Sequence, residues 1–304
     1  MVLKVFDNLQ QVCKIFSSLL IQYKLKRFTN PCRKMSVGRE SDHISRTAGC
    51  RREEEVSTAE VVEIQRISGT VRLLKLYVYD SFTFKAGQWV DMFIPGISVI
   101  GGFSICSSPH LLATERIIHL AVKFADHPPA YWVHKKCKVG DKVQLRAGGD
   151  FYYDPPDAAS GQDLLLLAGG VGINPLFSML QHFLHINPGQ SSPSGDNPSR
   201  KAALLYSAQT PEELIFKDDL LKLSEKKHVF IKKFITRCGP QEMKGNAFSA
   251  SRIQLEDIKT ALIQLDKQKS DVYICGPYPF IQTMEEYCVK LGINNRQIHF
   301  EKWW

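Results

Sequence analysis

The chain lacks several features that would assign it quickly. It has no CxxC pair and no zinc or iron–sulfur ligand spacing. Its eight cysteines, Cys13, Cys32, Cys50, Cys106, Cys137, Cys238, Cys275 and Cys288, are scattered, which leaves reduced, mostly buried thiols as the default. It has no run of about 18 apolar residues, so no membrane span is expected. It has no internal repeat. Its globular part carries no basic stripe, because the net charge of +8 is concentrated near the start. There Lys4, Lys14, Lys24, Lys26, Arg27, Arg33, Lys34 and Arg39 stand against Asp7 alone. The remainder is close to neutral, and nucleic acid is not an expected partner. His182 and His185 stand at i and i+3 with no third ligand nearby in sequence. They read as helix-surface histidines, and no metal site is expected.

What is present is a globular composition, 44% hydrophobic and 23% charged, in 304 residues. That is room for two domains, each with its own core. Residues 1–38 are basic and acid-poor, with Ser17, Ser18 and Ser36, and Val5, Leu9, Val12, Phe16, Leu19, Leu20 and Tyr23 recur at helical spacing. This is the pattern of a mitochondrial presequence, so a mitochondrial location is expected. A secretory signal and a surface amphipathic helix are the alternatives. Residues 39–56 are polar and read as a linker.

From residue 57 to 158 the pattern is strand-like. Val61–Ile67, Val71–Tyr79, Trp89–Ile94, Phe103–Cys106, Ile117–Phe124 and Val143–Leu145 are short runs rich in β-branched and aromatic residues, separated by glycine turns. With one helical stretch, Ala130–Lys138, they predict a small antiparallel β-barrel. From 159 to 304 strands and helices alternate. Strands are expected at Leu164–Ala168, Ala202–Tyr206, Val229–Phe234, Val272–Cys275 and Gln297–Phe300. Helices are expected after Pro175, around Pro211–Leu223, at Leu255–Leu265 and at Pro277–Leu291. This is a doubly wound α/β parallel sheet.

The most informative stretch is Asp163-Leu-Leu-Leu-Leu-Ala-Gly-Gly-Val-Gly-Ile-Asn-Pro175. The leucines suit a strand buried on both faces. Gly169, Gly170 and Gly172 suit a tight turn where a ligand approaches the backbone, and Pro175 suits a first helical turn. Strand, glycine turn and helix start present a positive helix end to a phosphate. GGxG is shorter than the full GxGxxG, and a bare tight turn is the alternative.

Several stretches carry a resemblance. Ala168-Gly-Gly-Val-Gly-Ile-Asn-Pro175 resembles a GGxGxTP pyridine-nucleotide turn, with Asn174 where Thr is usual. Tyr273-Ile-Cys-Gly-Pro277 resembles a CGP motif, and Leu204 to Thr210, followed by Glu213, Leu214 and Phe216, resembles a second strand and its helix. Ile298-His-Phe-Glu-Lys-Trp303 resembles a C-terminal strand ending in an aromatic. Phe103-Ser-Ile105 resembles the YS of RxYS, and Gly149-Asp-Phe151 a GxF turn. Taken in order, from about Ser57 to Trp304, they resemble the ferredoxin–NADP reductase-like flavoproteins, which include the cytochrome b5 reductases. The resemblance implies an FAD-binding barrel before an NAD-binding domain. It implies an NAD(H)-dependent oxidoreductase that passes hydride from NADH to a flavin and electrons to an unknown acceptor, a protein or a small molecule. On that reading Ser104, Cys275 and Glu301 are catalytic. Gly169, Gly170, Val171, Gly172, Ile173, Asn174, Pro175, Gly276, Pro277, Phe103 and Trp303 bind cofactor.

The chain also departs from the pattern. The Arg of RxYS, a flavin pyrophosphate partner, is Gly101, and the Tyr is Phe103. The phosphate-holding Ser of GxxSxxL is Ala130, within His127-Pro-Pro-Ala-Tyr-Trp-Val133. A charge-assisted bond contributes about 1.5–3 kcal/mol, so FAD binding is weakened while NAD(H) binding is kept. The alternative expectation is an NAD(H)-binding module or assembly partner that has lost flavin and catalysis. Ser207, Ala208 and Gln209 follow the second strand of the nucleotide domain, with no cation for a 2′-phosphate, so NAD(H) is expected over NADP(H).

Overall fold

Six short strands form an antiparallel sheet in the order β4-β3-β6-β1-β2-β5. They are β1 (Ser57–Arg66), β2 (Val71–Val78), β3 (Trp89–Phe93), β4 (Gly101–Ser104), β5 (Ile117–Lys123) and β6 (Lys142–Gly148). The structure, a computed structural model, describes residues 43–155, 162–187, 200–237 and 248–301. The expected presequence and Trp303 lie outside the described residues. The two edges of the sheet meet. Ile105 bridges Leu120, and the Cys106 amide donates to the His119 carbonyl at 2.9 Å. Closure leaves no exposed strand edge there. Alternate residues fill the interior, as the two-residue strand period requires: Leu74 and Leu76, Val90 and Met92, Ile118 and Leu120 are fully buried.

β1 begins earlier than the sequence predicts. Ser57, Ala59 and Val61 point inward, and a register shift between Val61 and Glu63 leaves Val62 exposed. A polar inward residue and a bulge together break the alternation that marks a strand. A helix absent from the sequence reading, α1 (Pro109–Glu115), follows β4, capped by the Ser108 hydroxyl and closed by Arg116 in the left-handed region. Ser-Pro at its start was the available signal. The second barrel helix is α2 (Pro128–Lys135).

Two units are distinguished, with the division between Gly49 and Cys50. In the first, a helical turn His43–Arg46 lies within the expected linker. The Thr47 amide and hydroxyl both donate to the His43 carbonyl.

The second sheet is wholly parallel, in the order β11-β10-β7-β8-β9. Its strands are β7 (Asp163–Gly169), β8 (Ala202–Ala208), β9 (Val229–Ile235), β10 (Ser270–Cys275) and β11 (Ile298–Glu301). The four leucines of β7 serve two cores. Leu164 and Leu166 pack on the face of α3 (Ile173–Ile186), while Leu165 and Leu167 pack on the face of α5 (Leu255–Ile263) and α6 (Tyr278–Lys290). The expected helix over Pro211–Leu223 is broken. A 3-10 turn at Pro211–Glu213 is followed by extended Leu214 and by Phe216 at φ 61°, and only then by α4 (Lys217–Ser224). Leu214 and Ile215 turn into the core, where the Ile215 amide donates to the Tyr206 hydroxyl.

α3 is buried almost all round because the barrel covers its second face. Asn174 donates to the Ala121 carbonyl at 2.7 Å, Ser178 to the Ser107 carbonyl at 2.6 Å, and Gln181 to the Cys106 carbonyl at 3.0 Å. These residues form one helical stripe, and they tie the nucleotide sheet to the strand ends where the barrel closes. Glu213 makes a second tie, accepting from Thr70 at 2.6 Å and pairing with Lys123 at 3.3 Å. Burial pushes its pKa up, but the Thr70 and Lys123 contacts outweigh that and hold it below the ordinary carboxylate value. A depressed folded pKa contributes stability above the unfolded value, and the contribution is lost as pH falls through the folded one. Glu213→Gln is therefore expected to lose about 1–2 kcal/mol at neutral pH. The gap between thermal melts of the two proteins should narrow as pH falls below the ordinary glutamate value and close once Glu213 is protonated in the folded protein. A gap that persists at acid pH would deny the carboxylate this role.

Candidate functional site

The chain leaves β7, builds β8 and β9 on one side, and then returns to place β10 on the other. The reversal sets the C-terminal ends of β7 and β10 side by side, the position at which open α/β sheets bind ligands. Most residues singled out in the sequence lie along this edge. Cys275 is buried and stands in register with Ala168 on one side and Glu301 on the other. After β7, Gly170–Gly172 form a single 3-10 turn, and α3 begins at Ile173, two residues earlier than expected. Ile173, Asn174 and Pro175 make the first turn of α3, so its positive end faces the edge. Val171 is partly buried against the core, and the Phe280 ring lies over Gly169 and Gly276 where Pro277 leads into α6.

Two glycines set the shape of the turn. A Cβ on Gly172 would stand 2.3 Å from the Cys275 carbonyl oxygen and 2.7 Å from the Gly276 nitrogen. The glycine turn and the Cys275-Gly-Pro277 segment thus pack backbone on backbone, which no other residue type permits. Gly170 adopts φ +57°, and a Cβ there would meet nothing within 4 Å. The turn therefore presents a left-handed glycine to open space, the form of a phosphate cradle. Asn174 is 5% exposed, and its Nδ2 is spent on the barrel carbonyl of Ala121. Its Oδ1 is buried without a hydrogen-bond partner.

The barrel residues form a different picture. Ser104 ends β4 opposite Trp89. Phe103 packs against the barrel core, its ring turned onto Gly101. A Cβ on Gly101 would stand 2.6 Å from Phe103 Cε2 and 2.9 Å from Pro129 Cβ. Ala130 is 6% exposed. α2 begins with Pro128 and Pro129, and its N-cap, His127, makes no side-chain cap. Two of the donors that a helix start offers are therefore missing.

The other sequence candidates separate. His185 stacks on His110 at 3.8 Å, while His182 meets the edge of Tyr153, where burial lowers its pKa. Among the described residues no group of three metal-ligating side chains occurs, and no helix is long and apolar enough to cross a membrane. The sequence reading missed Arg237. It is exposed, and its amide donates to the Gln209 carbonyl at 2.7 Å, which sets the Arg237 backbone beside the end of β8. The two are 28 residues apart, and only the parallel pairing of β8 with β9 brings them together.

Residues 166–286 match the oxidoreductase NAD-binding domain family. The chain is 39% identical over 299 residues to oxidoreductase NAD-binding domain-containing protein 1 of Pongo abelii, covering 96% of this chain and 94% of that one. Its fold is similar to the cytochrome b5 reductase domain of Ulva prolifera nitrate reductase, with a TM-score of 0.65, 19% identity, and coverage of 82% and 97%. It is also similar to a ferredoxin NADP+ reductase from Neisseria gonorrhoeae solved with bound FAD and NADP, with a TM-score of 0.62, 23% identity, and coverage of 83% and 100%. With its antiparallel barrel before a parallel sheet, a fold it shares with those two reductases, the chain belongs to the family of oxidoreductase NAD-binding domain-containing protein 1.

Proposed function

We propose that this chain binds NAD(H) across the β7–β10 edge and works as an NAD(H)-dependent oxidoreductase with a separate protein or small molecule as acceptor. The reading rests on one observation: the Gly169–Gly172 turn packs backbone on backbone against Cys275-Gly-Pro277 where the strand order reverses. Gly170 and the start of α3 would hold the pyrophosphate, and Cys275 and Glu301 would line the nicotinamide. A nicotinamide held there would supply or accept hydride. The chain contributes position, through two backbone segments packed in direct contact, and dryness, through buried Cys275. An NAD(H)-binding module without catalysis is the second reading, favoured by the packing around Gly101 and Phe103 in the barrel.

Titration of NADH by quenching of protein fluorescence tests the proposal. Saturable binding is expected, at least about tenfold tighter for NADH than for NADPH. No binding would sink the reading. Equal affinities would reject the NAD(H) preference, and Arg237→Ala would then show whether Arg237 holds the 2′-phosphate. We also propose a mitochondrial location, on the basic, acid-poor start of the chain. Retention of a full-length fluorescent fusion outside mitochondria would reject it.

A further inference from the structure

We infer that the barrel does not hold FAD by its pyrophosphate, because the chain's own side chains fill and strip the place where that group would be held. The fold neighbour that carries FAD makes a flavin the expected guest of a barrel of this type. The residues here do not fit it.

Three independent observations converge on one spot. The first is steric. The space above Gly101 is taken, with the Phe103 ring 2.6 Å and Pro129 2.9 Å from where a Cβ would stand. The space an arginine at 101 would grow into is thus occupied by an aromatic ring and a pyrrolidine. The second is the donor count. Pro128 and Pro129 occupy the first two positions of α2 and bring no N–H, Ala130 brings no hydroxyl, and His127 makes no cap. The Tyr131 amide is already given to the His127 carbonyl at 2.8 Å. Of the four amides that a helix start leaves free, only those of His127 and Ala130 remain at α2 to meet an anion. The third is polarity. Phe103 and Trp132 pack on the barrel core, and Ala130 is buried. A diphosphate placed here would give up water and find almost no hydrogen bonds, which strongly disfavours it. Each lost charge-assisted contact lowers affinity by about tenfold to a hundredfold.

The geometry also reverses a simple expectation. If Gly101 merely lacked an arginine, Gly101→Arg would restore FAD binding. With Phe103 and Pro129 where its Cβ must go, the substitution is instead expected to gain nothing.

This inference rests on the NAD(H) reading only for the family's layout, and one experiment separates the two. The full chain is purified without added flavin, and bound flavin is measured by visible absorbance and by release on acid denaturation. Fluorescence titrations with FAD and with NADH follow on the same preparation. The expected result is a colourless protein that binds NADH and shows no saturable FAD binding up to about 100 μM, more than about a hundredfold weaker than a micromolar site. FAD at near one equivalent, or micromolar FAD binding, would overturn the inference. So would a tenfold gain in FAD affinity on Gly101→Arg. The wild-type measurement decides the matter whether or not that variant folds. Loss of NADH binding would reject the proposed function and leave this inference standing.

Discussion

Gly172→Ala is expected to abolish NADH binding and to lower stability by about 2–3 kcal/mol. The added Cβ would lie 2.3 Å from the Cys275 carbonyl oxygen and 2.5 Å from its carbon. Both are backbone atoms of β10, so no rotamer change relieves the contact. Either the glycine turn lifts or β10 moves, and both disrupt the edge where β7 and β10 end. Gly170→Ala separates fold from function. Its φ of +57° makes alanine unfavourable by about 1–2 kcal/mol. The methyl would touch no protein atom within 4 Å, however, so the fold should survive. That methyl stands where the phosphates are proposed to lie, and NADH affinity should fall at least about tenfold. Urea unfolding followed by circular dichroism, with NADH titration of each variant, reads both effects. Wild-type NADH affinity in Gly170→Ala would show that the turn does not cradle the phosphates. Wild-type stability in Gly172→Ala would show that the two segments are not pressed together.

Much of this was legible in the sequence because it is encoded locally. The leucines of β7, the glycines after them and the apolar run of α3 report a doubly buried strand, a turn and a helix without reference to anything distant. Cys275-Gly-Pro277 was legible in the same way, as a strand end before a helix. What the sequence hid depends on pairing across the chain. Asn174 sits inside the turn motif, yet its side chain is given to the barrel at Ala121. Ser178 and Gln181 read as ordinary polar helix residues until the barrel closure at Cys106–Ser107 is placed beside them. Arg237 joins the β8 end only through the parallel pairing of β9. The broken helix before α4 was missed because propensity favoured a continuous one, whereas burial of Leu214 and Ile215 required an extended segment. At Gly101 the sequence recorded a missing arginine. It could not record that the Phe103 ring fills the space, because that is a matter of ring orientation.

Asp91→Ala is expected to destabilise the barrel strongly. β3 alternates, with Val90 and Met92 in the barrel core and Asp91 on the opposite face. Asp91 is fully buried there. Its Oδ2 accepts from Arg52 Nε at 2.9 Å and from Arg146 at 3.0 Å (Nε) and 2.6 Å (Nη2). The two arginines join distant parts of the chain. Arg146 lies on β6, in register with Asp91, and Arg52 precedes β1 and stacks over Trp89 at 4.9 Å. A carboxylate buried between two guanidinium groups gains little over a well-packed apolar residue. Deleting it leaves two largely buried cations facing each other, and that typically lowers stability by about 3–5 kcal/mol. For a unit of this size the melting temperature should fall by about 10 °C. Salt distinguishes this from a surface effect. An exposed ion pair is screened within a Debye length of about 10 Å at 0.1 M salt, whereas a buried one is screened much less. The stability difference between wild type and Asp91→Ala should therefore be nearly the same at low and at high salt. A difference that disappears in high salt would place the interaction at the surface, and Asp91 would not be what fastens the segment before β1 to the barrel.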